Sequence, residues 1–186
     1  MGNEGAELLA VTVGFPASLN EDPVIERFAD RRMIQQMEQV FFSTAPNPLQ
    51  HSYAGLMHGP NGRAELQDVI DLLREQPLTK RAVVTLAAEP NGKTPCINVV
   101  QFLVRENALQ TMYFARGQDA FRKFYADGFC LKKMAQKVAA GLDLPVGWVT
   151  GFIGSSHVYE ADMPAIDEML ATGQEYISAG EVEGVV

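Results

Sequence analysis

The chain has 186 residues, 47% of them hydrophobic, and a formal net charge of −8. This size and composition predict one soluble globular domain over residues 1–186, with 1–22 poorly assigned. The acidic balance argues against binding a nucleic-acid backbone but leaves room for a mononucleotide, whose pocket needs only a few cations. Neither a run of transmembrane length nor the basic start of a signal peptide is found, so we expect no membrane association. Two cysteines make no disulfide framework, and we expect a cytoplasmic protein.

The first half of the chain is predicted to be mostly helical. Residues 7–15 fit a short edge strand, and apolar residues recur at close to helical period over 24–42. Three prolines within 44–60 favour a loop. An apolar face over 63–75, followed by a proline, predicts an amphipathic helix.

The second half is predicted to alternate between strands and helices. Two apolar runs around Glu106-Asn107 are typical of a β-hairpin. The predicted strands are 81–87, 97–104, 109–114 and 146–159, and the predicted helices are 118–140 and 163–176. Strands paired as hairpins with helices inserted between them predict an α+β fold with a mixed β-sheet and packed helices.

Cys96 is the first candidate for chemistry. It follows Pro95 and precedes an apolar run. A lone cysteine is most often a small buried apolar residue, and Cys130, within a predicted apolar helix, fits that description. Cys96 differs because Arg116 and other cations are candidate neighbours, and a nearby cation favours the nucleophilic thiolate. We therefore expect Cys96 to be the reactive thiol, with a lowered pKa.

The residues around Cys96 form a spaced pattern. Pro95-Cys96 is followed after five residues by Gln101-Phe102, Arg116 lies twenty after the cysteine, and His157-Val158-Tyr159 begins forty-one after that arginine. Each short match is weak by itself. Together, in order and spacing, they resemble the thymidylate synthase family. The resemblance implies a thymidylate synthase-like fold, a pyrimidine nucleoside monophosphate as substrate and a homodimer.

The resemblance also implies roles for the thiol and the cations. Cys96 adds to C6 of the pyrimidine ring, which makes C5 nucleophilic towards a one-carbon unit. Arg116 corresponds to the main phosphate arginine of the family. Lys80 and Arg81 correspond to an arginine pair that reaches the phosphate bound by the partner subunit. Solvated surface charge is the alternative for these three cations.

Two aspartates follow Arg116. Asp119 and Asp127 are eight residues apart, which predicts one face of one helix. Asp119 either caps that helix or matches a family aspartate that contacts folate. Asp127 stands where thymidylate synthases have an Asn that binds uracil, and where the cytidylate hydroxymethylases of the family have Asp. A carboxyl group suits the amino donor and N3 acceptor of cytosine.

Three further residues complete the predicted site. His157 and Tyr159 alternate on a strand and face one side, where the resemblance implies binding of a sugar hydroxyl and a polar strand face is the alternative. Glu38, before an apolar helical run, resembles the family's acid-base glutamate, although a helix-surface carboxylate fits equally well. Trp148 and Phe152 are predicted to be core. No metal site is predicted.

The folate side of the family is less complete in this sequence. Where the family has Leu-Gly against which folate stacks, this chain has Arg122-Lys123. Nucleotide binding is therefore expected to be retained, and 5,10-methylenetetrahydrofolate is an uncertain second substrate. The leading prediction is hydroxymethylation of CMP or dCMP at C5. The alternatives are folate-independent chemistry at Cys96 and a non-catalytic nucleotide-binding paralogue.

Overall fold

A six-stranded mixed sheet forms the centre of the protein. The computed structural model describes residues 4–18, 22–50, 52–58, 65–86, 92 and 94–179. The strands across the sheet are in the order β1-β6-β4-β3-β2, and the short β5 also pairs with β6. β4 and β5 are parallel to β6, whereas the other pairs are antiparallel. The strands are β1 Glu4–Pro16, β2 Val83–Thr85, β3 Ile97–Arg105, β4 Ala108–Ala115, β5 Gln118–Asp119 and β6 Val146–Tyr159.

Helices cover one face of this sheet, which confirms the predicted α+β fold. They are α1 Pro23–Phe28, α2 Arg31–Phe42, α3 Tyr53–His58, α4 Glu65–Glu75, α5 Phe124–Leu142 and α6 Met163–Ala179. α5 is the crossover that the parallel strands β4 and β6 require, and its inner side chains lie in the main core. In the described part of the chain, no helix is both long and apolar enough to cross a lipid bilayer.

The other sheet face is exposed and apolar. Met112, Phe114, Trp148 and Phe152 alternate with buried neighbours along β4 and β6 and are between 38% and 47% exposed. The rings of Phe114 and Phe152 stack with centroids 5.9 Å apart. The prediction that Trp148 and Phe152 are core residues is therefore wrong, because both are on the sheet face that none of the described helices covers.

Several local predictions are confirmed. β3 and β4 form the expected hairpin, and Glu106 and Asn107 both have positive φ, as a tight two-residue turn requires. The strand predicted over 7–15 is the edge strand β1, which is longer than expected. The strand over 146–159 is β6, in which Gly151 lies against the Tyr113 ring, where a Cβ would be 2.1 Å from a ring atom.

Two predictions for the first half are corrected. The single helix expected over 24–42 is divided into α1 and α2, because Ala29 is extended and the Asp30 carboxylate accepts the Arg32 N–H at the start of α2. The loop expected over 44–60 contains α3. Ser52 begins that helix, since its hydroxyl accepts the Gly55 N–H and donates to the Ser43 carbonyl.

The helix predicted over 118–140 begins later than expected. Residues 118–119 are β5, and the helix α5 starts at Phe124. Between them the Asp119 carboxylate accepts the N–H groups of Phe121 and Arg122, so it caps a turn. Asp119 and Asp127 therefore do not share a helix.

Candidate active site

The backbone of Cys96 is held from two sides at the entrance to β3. Its N–H donates to the Tyr53 hydroxyl at 3.2 Å, and its carbonyl accepts the Arg116 N–H at 2.9 Å. Tyr53 begins α3, and its ring packs edge-on against Phe41 of α2 with centroids 4.8 Å apart. A helix and the end of β4 thus fix the position of the thiol.

The Arg116 side chain binds the segment that precedes the cysteine. Its Nε donates to the Pro95 carbonyl at 3.0 Å, and one Nη donates to the Thr94 carbonyl at 2.8 Å. A guanidinium has five N–H groups, and the described residues provide no acceptor for the other three. Arg116 therefore orders the Cys96 segment while keeping donors for an anion.

Cys96 is half-buried, and its thiol does not have the lowered pKa that the sequence predicted. Burial is the largest influence and raises the pKa of Cys96, and the charge of Asp127 raises it further. Arg116 and Lys123 lower that pKa but do not outweigh burial, so the expectation of a lowered pKa is wrong for the ligand-free protein. Cys130 is fully buried in α5, and burial also raises its pKa.

Asp127 is a buried carboxyl group on the first turn of α5. It is 3% exposed, and burial raises its pKa from 3.8 to about 7. The Gln118 Nε2 donates to its Oδ2 at 2.6 Å, which partly offsets this rise. Neither Asp127 Oδ1 nor Gln118 Oε1, both buried, has a hydrogen-bond partner among the described residues. Burial and Asp127 raise the pKa of Tyr53 and of Tyr113.

The start of α5 is cationic. Arg122 forms an ion pair with Asp162 at 2.7 Å, and its guanidinium carbon is 5.4 Å from the centre of the Tyr159 ring. Lys123 precedes the first residue of α5 and is half-buried. Its charge lowers the pKa of both Cys96 and Asp127.

His157 and Tyr159 face one side of β6, as predicted. Their rings are in an edge-to-face contact with centroids 5.5 Å apart. His157 is also paired with Asp119 of β5, and its carbonyl accepts the Ala120 N–H. The end of β6 thus brings both side chains beside the turn that leads into α5.

Three predicted site residues are not joined to this cluster. Glu38 forms an ion pair with Lys133 on the outer side of α5, in an open depression at the surface. Lys80 and Arg81 are exposed beside β2, where the Lys80 carbonyl accepts the Gln101 amide. None of the three is among the groups that shift the Cys96 pKa, and their predicted roles stay predictions.

Sequence reasoning missed three residues that contact or face the site. Tyr53 is in a segment whose prolines favoured a loop. Gln118 was assigned to a helix, which gave no reason to pair it with Asp127. Lys123 was noted only as a departure on the folate side. The signal that could have identified Lys123 is a cation four residues before Asp127, a spacing of about one helical turn.

Comparison with known proteins identifies the family of this chain. A family model described as thymidylate synthase matches residues 28–179. A protein of Methanothermobacter thermautotrophicus named "Putative thymidylate synthase" is 23% identical over 141 residues, which cover 74% of this chain and 64% of that relative. A relative of the same name from Methanococcoides burtonii is 23% identical over 167 residues, 87% of this chain and 76% of its own length.

The fold is also similar to a solved structure. The crystal structure of thymidylate synthase from T4 phage superposes with a TM-score of 0.65 at 15% identity, covering 88% of this chain and 71% of that chain. At that identity the likeness concerns the fold alone. The family model, by contrast, matches residues 28–179, a range that contains Cys96, Arg116 and Asp127. The chain therefore belongs to the thymidylate synthase family.

Proposed function

We propose that this protein binds a cytidine monophosphate, CMP or dCMP, and hydroxymethylates C5 of the ring through a covalent adduct at Cys96. One observation carries the proposal: the Cys96 thiol lies within electrostatic reach of Arg116, a guanidinium with donors that the described residues leave unused, and of Asp127, a buried carboxyl group. With a bound nucleotide, the thiol would attack C6, the guanidinium would bind the phosphate and the carboxyl group would pair with the base. The family's action on pyrimidine nucleoside monophosphates supports the same assignment.

The covalent step begins with the Cys96 thiolate. Its sulfur forms a bond to C6, and the electron pair of the C5–C6 double bond moves towards C5, which then bonds to an electrophilic one-carbon unit. Loss of the C5 proton and of the donor that carried the one-carbon unit leaves an exocyclic methylene at C5. Water adds to this methylene to give the hydroxymethyl group, and the C5–C6 double bond reforms as the thiolate is expelled. Arg116 and Lys123 favour the thiolate, and burial opposes it, so the fraction of thiolate is set by their balance.

Asp127 supports cytosine as the base. A neutral carboxyl group accepts from the exocyclic amino group and donates to N3 of cytosine. With a pKa of about 7, Asp127 holds the required proton near neutral pH. An ionised Asp127 opposite O4 of uracil would leave two buried acceptors facing each other, which costs about 1–3 kcal/mol for each unsatisfied group.

The second substrate of the proposed reaction is the one-carbon donor. Two family contacts to methylenetetrahydrofolate are altered in this chain: Arg122-Lys123 stand where the resemblance implies Leu-Gly, and one oxygen of the Asp119 carboxylate accepts two backbone N–H groups. We therefore assign no step to folate. The same observation favours a second candidate, an enzyme that uses Cys96 for folate-independent chemistry on the same nucleotide.

We also propose that the protein is a homodimer. The exposed face with Phe114, Trp148 and Phe152 is a large apolar surface of the kind that a two-fold interface buries. Lys80 and Arg81 are exposed at the β2 edge of the same sheet, beside Gln101. In a dimer formed through this face, the two cations would be available to the phosphate bound by the partner subunit.

The test is calorimetric affinity for CMP, dCMP, UMP and dUMP with wild type and Asp127→Asn. One to three kcal/mol per opposed acceptor corresponds to a preference for cytosine of about tenfold to a few hundredfold. Asp127→Asn should shift the preference towards uracil, because an amide satisfies both O4 and N3–H. Asp71→Asn, a surface substitution on α4, is the matched control. Equal wild-type affinity for dCMP and dUMP would refute the cytidylate assignment.

A further inference from the structure

Gln118 is a buried amide in direct contact with Asp127, the proposed base reader. It is 2% exposed on β5, a strand of two residues fixed by parallel pairing to Ser156 and His157 of β6. Its Nε2 donates to Asp127 Oδ2 at 2.6 Å. The opposite oxygen, Asp127 Oδ1, is buried and has no partner among the described residues. The carboxyl group is thus hydrogen-bonded at Oδ2 and has no described hydrogen-bond partner at Oδ1.

This hydrogen bond makes the two carboxyl oxygens different. A neutral carboxyl group has one oxygen that carries the proton and donates, and one that accepts. Because the Gln118 N–H points at Oδ2, a proton on Oδ2 would meet another donor, so the proton belongs on Oδ1. Oδ2 keeps a lone pair for a second donor. Asp127 therefore presents a fixed pair, a donor at Oδ1 and an acceptor at Oδ2.

A fixed pair distinguishes the two bases, whereas a mobile proton does not. Cytosine has a donor at position 4 and an acceptor at N3, and uracil has the reverse. A carboxyl group whose proton moved freely between its oxygens would match both patterns. We propose that Gln118 is a specificity-determining positioning residue, which fixes the Asp127 proton on Oδ1. With Oδ1 towards N3 of the base and Oδ2 towards position 4, the carboxyl group then pairs with cytosine and not with uracil. This inference rests on the proposed cytidylate function.

The groups around Asp127 give the expected direction of its titration. Among the influences on its pKa, Gln118 and Lys123 lower it, and burial and Asp119 raise it. Removing the Gln118 amide therefore raises the pKa of Asp127 above about 7. The titratable and charged groups that face Asp127 come from five parts of the fold: Asp119 of β5, Lys123 at the start of α5, Cys130 within it, Tyr53 of α3, Cys96 before β3 and Tyr113 of β4.

The experiment compares wild type, Gln118→Leu and Gln136→Leu. Gln136 is the matched control, because it is a partly buried glutamine on α5 whose Nε2 donates to the Ala17 carbonyl. Calorimetry with dCMP and dUMP gives the base preference, and the ¹³C shift of the Asp127 carboxyl carbon against pH gives its pKa. We expect Gln118→Leu to reduce the preference for dCMP at least fivefold and to raise the Asp127 pKa, and Gln136→Leu to change neither.

The outcomes separate this inference from the proposed function. An unchanged preference in Gln118→Leu overturns the role of Gln118, while a shifted preference in Asp127→Asn still supports Asp127 as the base reader. A lowered Asp127 pKa in Gln118→Leu also overturns it, because Gln118 would then accept the proton of Asp127. If the variant does not fold, an NMR titration of the wild-type protein still tests the inference. The side-chain amide signals of Gln118 should shift as Asp127 titrates, and signals that do not shift would contradict the inference.

Discussion

Asp127 makes the stability of the ligand-free protein depend on pH, and Asp127→Asn should remove that dependence. The pKa of this carboxyl group is raised from 3.8 in the unfolded chain to about 7 in the folded protein, with burial as the main cause. A group whose folded pKa is raised contributes stability fully below pH 3.8 and loses it as pH rises through 7. At 1.36 kcal/mol for each pH unit, the loss between pH 4 and pH 8 is up to about 4 kcal/mol.

The asparagine side chain of the Asp127→Asn variant has no proton to lose and keeps an oxygen that accepts the Gln118 Nε2. Urea unfolding of wild type and Asp127→Asn at pH 4, 6 and 8 measures the difference in free energy of unfolding directly. Between pH 4 and pH 8, we expect the free energy of unfolding of Asp127→Asn to rise relative to that of wild type by up to about 4 kcal/mol. Asp71→Asn, on the surface of α4, should follow wild type. A constant difference between wild type and Asp127→Asn across the range would refute a buried carboxyl group with a raised pKa.

Three other predictions concern the thiol, its support and the exposed sheet face. Iodoacetamide should label Cys96 in preference to Cys130, and CMP should protect Cys96 from the reagent. Labelling should become faster as pH rises, because burial raises the Cys96 pKa. Mass spectrometry of the labelled peptides measures both effects, and preferential labelling of Cys130 would contradict the assignment. Lys123→Met should slow this labelling at a fixed pH, since a cation that favours the thiolate is lost, and an unchanged rate would show that its charge does not reach Cys96. Tyr53→Phe leaves the Cys96 N–H without its hydroxyl acceptor and should lower the free energy of unfolding by about 1–3 kcal/mol, so an unchanged urea midpoint argues against that contact. Phe152→Asp places a charge in the stacked aromatic pair of the exposed face and should yield a monomer in light scattering, whereas a monomeric wild type would exclude the homodimer.

Local sequence predicted the elements whose form depends on near neighbours. The β3–β4 hairpin follows from two apolar runs and a two-residue turn, and α4 follows from the spacing of one apolar face. The predictions failed where a single side chain decides a boundary. Asp30 begins α2 and Ser52 begins α3, whereas Asp119 caps a turn before α5, so that α5 begins later than predicted. Each of these side chains accepts a hydrogen bond from a nearby backbone N–H group, and the spacing of apolar residues does not predict such bonds.

For the candidate site, too, the sequence predicted some properties and the tertiary structure determined the others. The sequence determined which groups are available: the order and spacing from Cys96 to Tyr159 identified the family and its thiol, guanidinium and carboxyl group. Only the tertiary structure decided how those groups behave. Burial by separate elements raises the pKa of Cys96 against the effect of Arg116, and β5 brings Gln118 to Asp127. The physical reason is that a pKa depends on desolvation and on charges from every neighbouring element, whereas spacing along the chain records only which residues exist and in what order.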